Sequence, residues 1–193
     1  QRTNLTNPTN IKKQDTDRHT EPIASFDTNP LLLYTEEKQT NLTLVMWNAN
    51  SLRSVHKQGH LLSFLHTTKA DIIGFTELRS SMDSILSIPG VRTILEQKGF
   101  RYTYWNPSTK NVGQFGTAII SRLRPKEVIF NIGTLNDEGR VISLIFDKFI
   151  QILSYSPTLG IDENTQELTK QRRRLDFDEA LSLHCRELKT KYK

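Results

Sequence analysis

Glu77 follows the apolar run Ile72-Ile73-Gly74-Phe75. A carboxylate at the C-terminal end of a buried strand is placed to hold a hard cation such as Mg²⁺, which takes one or two carboxylates and keeps several waters. A surface Glu at a strand–loop junction would read the same way. Asn48 and Asn50 leave a second apolar run, Leu42 to Trp47. Amides there can donate to a phosphate or accept from a water, and Asn and Ser are also ordinary turn residues. Tyr155 ends a third run, beginning at Phe149. Its phenol can donate to a phosphate or stabilise a developing oxyanion, or reach water from the core edge. Asp137-Glu138-Gly139-Arg140 precedes a strand. It offers ligands, or an ion pair of Arg140 with an acidic neighbour whose role is structural. Lys170-Gln171-Arg172-Arg173-Arg174 opens a helix that can touch backbone phosphates or be simply solvated. His56, His60, His66 and His184 show no paired ligand spacing, and Cys185 reads as packing beside an apolar helix face.

These residues need elements to position them. Strands are expected over 42–47, 71–75, 101–105, 116–121, 128–131, 141–146 and 149–155, the first two and 116–121 being buried. Asp147-Lys148 is the expected hairpin turn between the last two. Leu61, Leu62, Phe64 and Leu65 place a helix over 60–70, and 80–98 reads as helical pieces broken by Pro89-Gly90. From Thr165 the pattern is helical, with Phe177, Leu181, His184 and Leu188 on one apolar face. Strands alternating with helices predict an α/β or α+β fold.

The chain has 193 residues, which suits one large domain or one domain plus a tail. Its single cysteine excludes an internal disulfide framework and a zinc site built on several cysteines. No apolar stretch is long enough to span a membrane as a helix. Residues 1–40 are rich in Asn, Thr, Gln and Asp and read as a flexible polar leader; residues 41–193 carry the fold. Net charge is +5, yet the leader holds five Lys/Arg against six Asp/Glu. The whole basic excess therefore lies in residues 41–193, which suits a polyanionic partner such as nucleic acid and equally a surface that is simply solvated and basic.

Taken in order the motifs form one series: Trp-Asn-x-Asn-Ser-Leu-Arg, Asp-Ile-Ile-Gly-Phe-x-Glu, Gly-x-Ala-Ile-Ile-Ser-Arg, Glu-Gly-Arg-Val-Ile, Tyr-x-Pro, and Arg-Arg-x-Asp-x-Asp-Glu-Ala-Leu. Over about Leu42 to Leu188 this series resembles the exonuclease III-like apurinic/apyrimidinic endonucleases of the endonuclease/exonuclease/phosphatase superfamily. The resemblance implies a four-layer sandwich of two mixed β-sheets flanked by helices. It implies Mg²⁺-dependent hydrolysis (Mn²⁺ as a substitute) of the phosphodiester 5′ to an abasic site in DNA, in base excision repair, by a monomeric nuclear enzyme with no membrane partner. It implies Glu77 as metal ligand, Asn48, Asn50 and Tyr155 as catalytic residues, and Arg53, Arg172 and Arg173 as DNA contacts.

This sequence departs from the family pattern in places. Ser51 and Leu78 stand where the family often has Gly and Thr, and Thr158 replaces an Asn that usually follows Tyr-x-Pro. No glycine is followed by Asp and no histidine is preceded by Asp, so Gly-Asp-x-Asn and Ser-Asp-His are missing. With them go the water-activating Asp and the phosphate-stabilising His. The expectation is an N-terminal portion of the fold, inactive alone, with one sheet left short of a packing partner. Two other readings share the residues: the endonuclease domain of a non-LTR retroelement, and a non-catalytic nucleic-acid-binding remnant.

Overall fold

The computed structural model describes residues 41–111, 113–133, 137–158 and 167–192. The leader expected over residues 1–40 lies outside them. Seven strands and five helices follow in the order β1 (Leu44–Asn48), α1 (Leu52–Lys57), α2 (His60–Thr67), β2 (Ile72–Thr76), α3 (Met82–Leu86), α4 (Val91–Gln97), β3 (Tyr102–Asn106), β4 (Thr117–Ser121), β5 (Glu127–Phe130), β6 (Val141–Ile145), β7 (Ile150–Ser154) and α5 (Glu167–Lys191). Every expected element is present, within a few residues at each end.

The strands make two sheets, ordered β1-β2-β4-β3 and β5-β6-β7. β1 runs parallel to β2, and all other neighbours are antiparallel. The first sheet is thus mixed and the second antiparallel throughout. The β6–β7 hairpin turns at Asp147-Lys148 as expected, with Phe146 and Phe149 stacked at 4.5 Å on either side.

Three clusters of buried side chains define the layers. α1 to α4 pack on one face of the first sheet through Leu52, Leu61, Leu65, Leu95 and Phe75. The two sheets meet face to face through Ile72, Ile119, Ile142, Leu144 and Leu153. α5 covers the far face of the second sheet through Phe177, with Leu181 packed against it. The layer order is helices, sheet, sheet, helix. Neither sheet lacks a partner layer, in contrast to the open sheet face expected from the sequence. Exposed apolar surface on the sheets falls instead on β1, where Leu44 and Met46 are 44% and 55% exposed. Among the described residues β1 pairs on one side only. Hence it is not the buried strand its composition predicts.

α5 seats the apolar face read from its sequence: Phe177 and Leu188 are buried. His184 lies on that face, 2.8 Å from the hydroxyl of the fully buried Ser143 on β6. Cys185 is exposed, not packed, because the neighbouring helical position points away from the sheet. Burial depresses the His184 pKa from its ordinary 6.5, only partly opposed by the Glu187 charge. The unfolded chain therefore binds the proton more readily. The His184 contribution to stability is expected to be constant above pH 6.5 and to fall as the pH drops below it. Urea unfolding of His184→Gln against the parent between pH 7 and pH 5 checks this, the variant losing less on acidification.

Candidate active site

The C-terminal ends of β1, β2 and β7 and the start of β4 meet along one rim of the sandwich. Backbone hydrogen bonds stitch the loops there. Ala49, Ser51 and Leu52 donate to the carbonyls of Thr76, Glu77 and Leu78, and Leu78 and Arg79 donate to those of Gly116 and Phe115, all between 2.9 and 3.2 Å. Asn50, Ser51, Glu77, Arg79 and Phe115 all have positive φ, between 43° and 92°. Outside glycine such conformations cost on the order of 1–3 kcal/mol each, persist where the surroundings over-determine them, and cluster at functional sites.

Glu77 is the centre of this rim. Its Oε1 accepts from Asn48 Nδ2 at 2.9 Å and from the Tyr155 hydroxyl at 2.8 Å. Its Oε2 faces Arg79 Nη2 at 2.7 Å. Three donors thus converge on one carboxylate. They hold its pKa below the ordinary 4.5, the Asn48 bond contributing most and outweighing partial burial together with Tyr155 and Arg79. Glu77 is ionised at neutral pH. Its partner Tyr155 titrates above the ordinary 10, because burial, and then the bond to Glu77 and its charge, disfavour the phenolate. A cleft of about 250 Å³ opens beside the pair, lined by Glu77, Arg79, Gly113, Gln114, Phe115 and Tyr155.

The loops on either side bring in the remaining candidates unequally. Asn50 donates its backbone N–H to Asn48 Oδ1 at 3.1 Å and so orients the amide that holds Glu77; its own side chain is exposed. Arg53 is exposed in the first turn of α1, directly after this loop. Arg172 is exposed on α5. Arg173, its neighbour, reaches inward instead and pairs with Glu138 Oε1. The structure therefore brings Asn48, Glu77 and Tyr155 together, adds Asn50 behind Asn48, and leaves Arg53 and Arg172 facing solvent.

Glu138 is no candidate ligand, because two arginines hold it. Arg140 Nε donates to its Oε2 at 2.6 Å, and Arg173 takes the other oxygen. Burial alone would raise its pKa, but the bonds to Arg140 and Arg173 hold it below the ordinary value. Arg140 extends back to the rim: its Nη1 donates to the Tyr155 carbonyl at 2.8 Å, and the Tyr155 N–H donates to the Arg140 carbonyl. The ion pair foreseen within Glu138-Gly139-Arg140 is present. Arg79 and Phe115 were not singled out in the sequence. The only signal for Phe115 is its place in the short Gly113-Gln114-Phe115-Gly116 loop; Arg79 offers none beyond its distance of two residues from Glu77.

Comparison with known proteins shows where this chain belongs. The sequence profile of the Endonuclease/Exonuclease/phosphatase family matches residues 46–187. The chain belongs to this family. An exodeoxyribonuclease of Bacillus subtilis is 32% identical over 152 residues, which are 78% of this chain and 54% of that relative. A DNA-(apurinic or apyrimidinic site) endonuclease of Dictyostelium discoideum is 24% identical, covering 72% of this chain and 35% of that relative. The chain thus spans about half the length, or less, of these curated relatives. Among solved structures, a 3′-5′ exonuclease from Neisseria meningitidis superposes with a TM-score of 0.59 at 24% identity, over 77% of this chain and 53% of the other. An AP endonuclease from Archaeoglobus fulgidus gives 0.56 at 22% identity, over 73% and 49%. These superpositions show that the layered sandwich of this chain is a fold it shares with about half of each of these structures.

Proposed function

We propose that this chain carries the metal- and phosphate-facing half of a DNA nuclease that cuts the phosphodiester 5′ to an abasic site. The observation that carries the reading is the Glu77 carboxylate, ionised and held by Asn48 and Tyr155 at the edge of an open cleft. The printed name of the Dictyostelium relative supports the abasic substrate, and the basic balance of residues 41–193 supports a polyanion.

Mg²⁺ fits the donor set. Among the described residues no group of three or more His, Cys, Asp and Glu side chains could hold a metal ion. A single carboxylate with neighbouring amide oxygens, which leaves most positions to water, is a magnesium arrangement rather than a zinc one. Glu77 would hold the ion, with Asn50 close by on the same rim; Mn²⁺, another hard cation, suits the same oxygens. When bound, the ion polarises the phosphate as a Lewis acid. Asn48 keeps the carboxylate in one orientation. Tyr155 keeps its proton, since its pKa lies above the ordinary value, and can offer its hydroxyl to a phosphate oxygen as charge builds there. Arg53 and Arg172, both exposed, are placed for sequence-independent contacts to the DNA backbone. The water-activating carboxylate implied by the family resemblance belongs to motifs that this sequence does not contain. The reaction is therefore proposed for a protein that supplies them as well.

The reading is tested by incubating such a protein with duplex DNA carrying one abasic site, with Mg²⁺ or with EDTA. Incision on the 5′ side of the lesion with Mg²⁺ alone is expected. Equal nicking of intact duplex would replace it with the retroelement-type endonuclease. Salt-sensitive binding without any cleavage would replace it with the binding remnant.

A further inference from the structure

Arg140 is 4% exposed and Glu138 6% exposed. A buried ion pair is weak evidence of stabilisation, because desolvating both charges offsets their attraction, and an apolar pair of similar volume often serves as well. The placement of this pair suggests another role. The Arg140 guanidinium uses two different edges: Nε on Glu138 at 2.6 Å and Nη1 on the Tyr155 carbonyl at 2.8 Å. Its face lies 4.2 Å from the Phe115 ring centre and 5.1 Å from the Tyr155 ring centre. Glu138 is in turn fixed by Arg173 of α5 and approached by Lys110 at 3.8 Å. One planar group is therefore clamped by a carboxylate, bonded to the main chain of Tyr155 and stacked on its ring. The hydroxyl of that same ring reaches Glu77.

We propose that Arg140 is a positioning residue for Tyr155: held by Glu138 and bearing on the Phe115 and Tyr155 rings, it sets the angle at which the phenol meets Glu77. The inference rests on the reading of Tyr155 and Glu77 as one site. A lysine keeps the charge but has neither the second edge nor the planar face. In Arg140→Lys the phenol is no longer aimed, and the hydroxyl–carboxylate bond loosens while the local charge stays the same.

The experiment is NMR of protein labelled at the tyrosine ring Cζ, with the Tyr155 signal assigned by its loss in Tyr155→Phe; the chain has five tyrosines. Glu77→Gln first defines the signal of Tyr155 without its carboxylate partner. Arg140→Lys is expected to move the Tyr155 resonance in the same direction, with the other tyrosine signals in place. A lowered melting temperature with the Tyr155 signal unmoved would overturn the proposal and leave Arg140 a purely structural residue. Should Arg140→Lys fail to fold, Phe115→Leu decides. It removes the ring beneath the guanidinium and keeps the ion pair, so a shift in the same direction supports the proposal and no shift overturns it. If Glu77→Gln itself leaves Tyr155 unmoved, the site reading fails first, an outcome distinct from either of these.

Discussion

In a protein that also supplies the missing motifs, replacing Glu77 by Ala is expected to abolish the proposed Mg²⁺-dependent incision of abasic-site DNA while leaving DNA affinity within a few-fold of the parent. The argument is electrostatic. Glu77 is the carboxylate on which Asn48, Tyr155 and Arg79 converge, and each of them loses its acceptor when it goes. A metal-bound, preorganised site contributes several kcal/mol to a developing charge. At about 1.4 kcal/mol per tenfold in rate, its loss amounts to about 10³-fold or more. On this proposal, affinity for DNA comes instead mostly from phosphate contacts by exposed basic side chains such as Arg53 and Arg172, which the substitution leaves untouched. Cleavage kinetics and a filter-binding titration on the same preparation check both halves. Incision at the parental rate would remove Glu77 from the mechanism.

The second large effect is on stability. Gly139 has φ +62°, and a Cβ there would overlap the Asn106 carbonyl and the Pro107 backbone. Neither neighbour can give. Asn106 is buried, its side chain bonded to the Val141 carbonyl and to Asn131, and the Gly139 carbonyl accepts from buried Thr117. Gly139→Ala combines left-handed strain of about 1–2 kcal/mol with a backbone collision, which together are expected to cost about 3 kcal/mol or more. Gly59→Ala is the control. Gly59 has φ +78° with open space around it, so only the strain applies, about 1–2 kcal/mol. Urea denaturation of the two variants should separate them clearly. Equal losses would mean that the loop at Gly139 relaxes. Because Gly139 lies between Glu138 and Arg140, its variant should also disturb Tyr155.

The strands and helices were legible in the sequence because each carries its own period. Apolar runs such as Ile72–Phe75 and Val141–Phe146 read as buried strands and are buried, and Phe177, Leu181, His184 and Leu188 share one face of an α-helix. Leu44 and Met46 misled, because composition tells that a strand is apolar but not that it lies at a sheet edge. Asn48, Glu77 and Tyr155 were legible as strand-end polar residues, yet their convergence depends on three strands from two sheets reaching the same rim. Arg79 and Phe115 escaped for a related reason. An exposed Arg and a loop Phe look ordinary until a carboxylate and a guanidinium are found against them. Arg173 looked like its neighbour Arg172, and only the packing of α5 turns one inward to Glu138.

The central claim is that Glu77 anchors a divalent cation in the cleft beside Tyr155. It is tested most directly by titrating Mn²⁺ into the labelled protein and following paramagnetic broadening. The account predicts that the Tyr155 signal broadens first, that Mg²⁺ competes the effect away, and that Glu77→Gln abolishes it. Broadening that persists unchanged in Glu77→Gln, or that leaves Tyr155 sharp while other signals vanish, would contradict it.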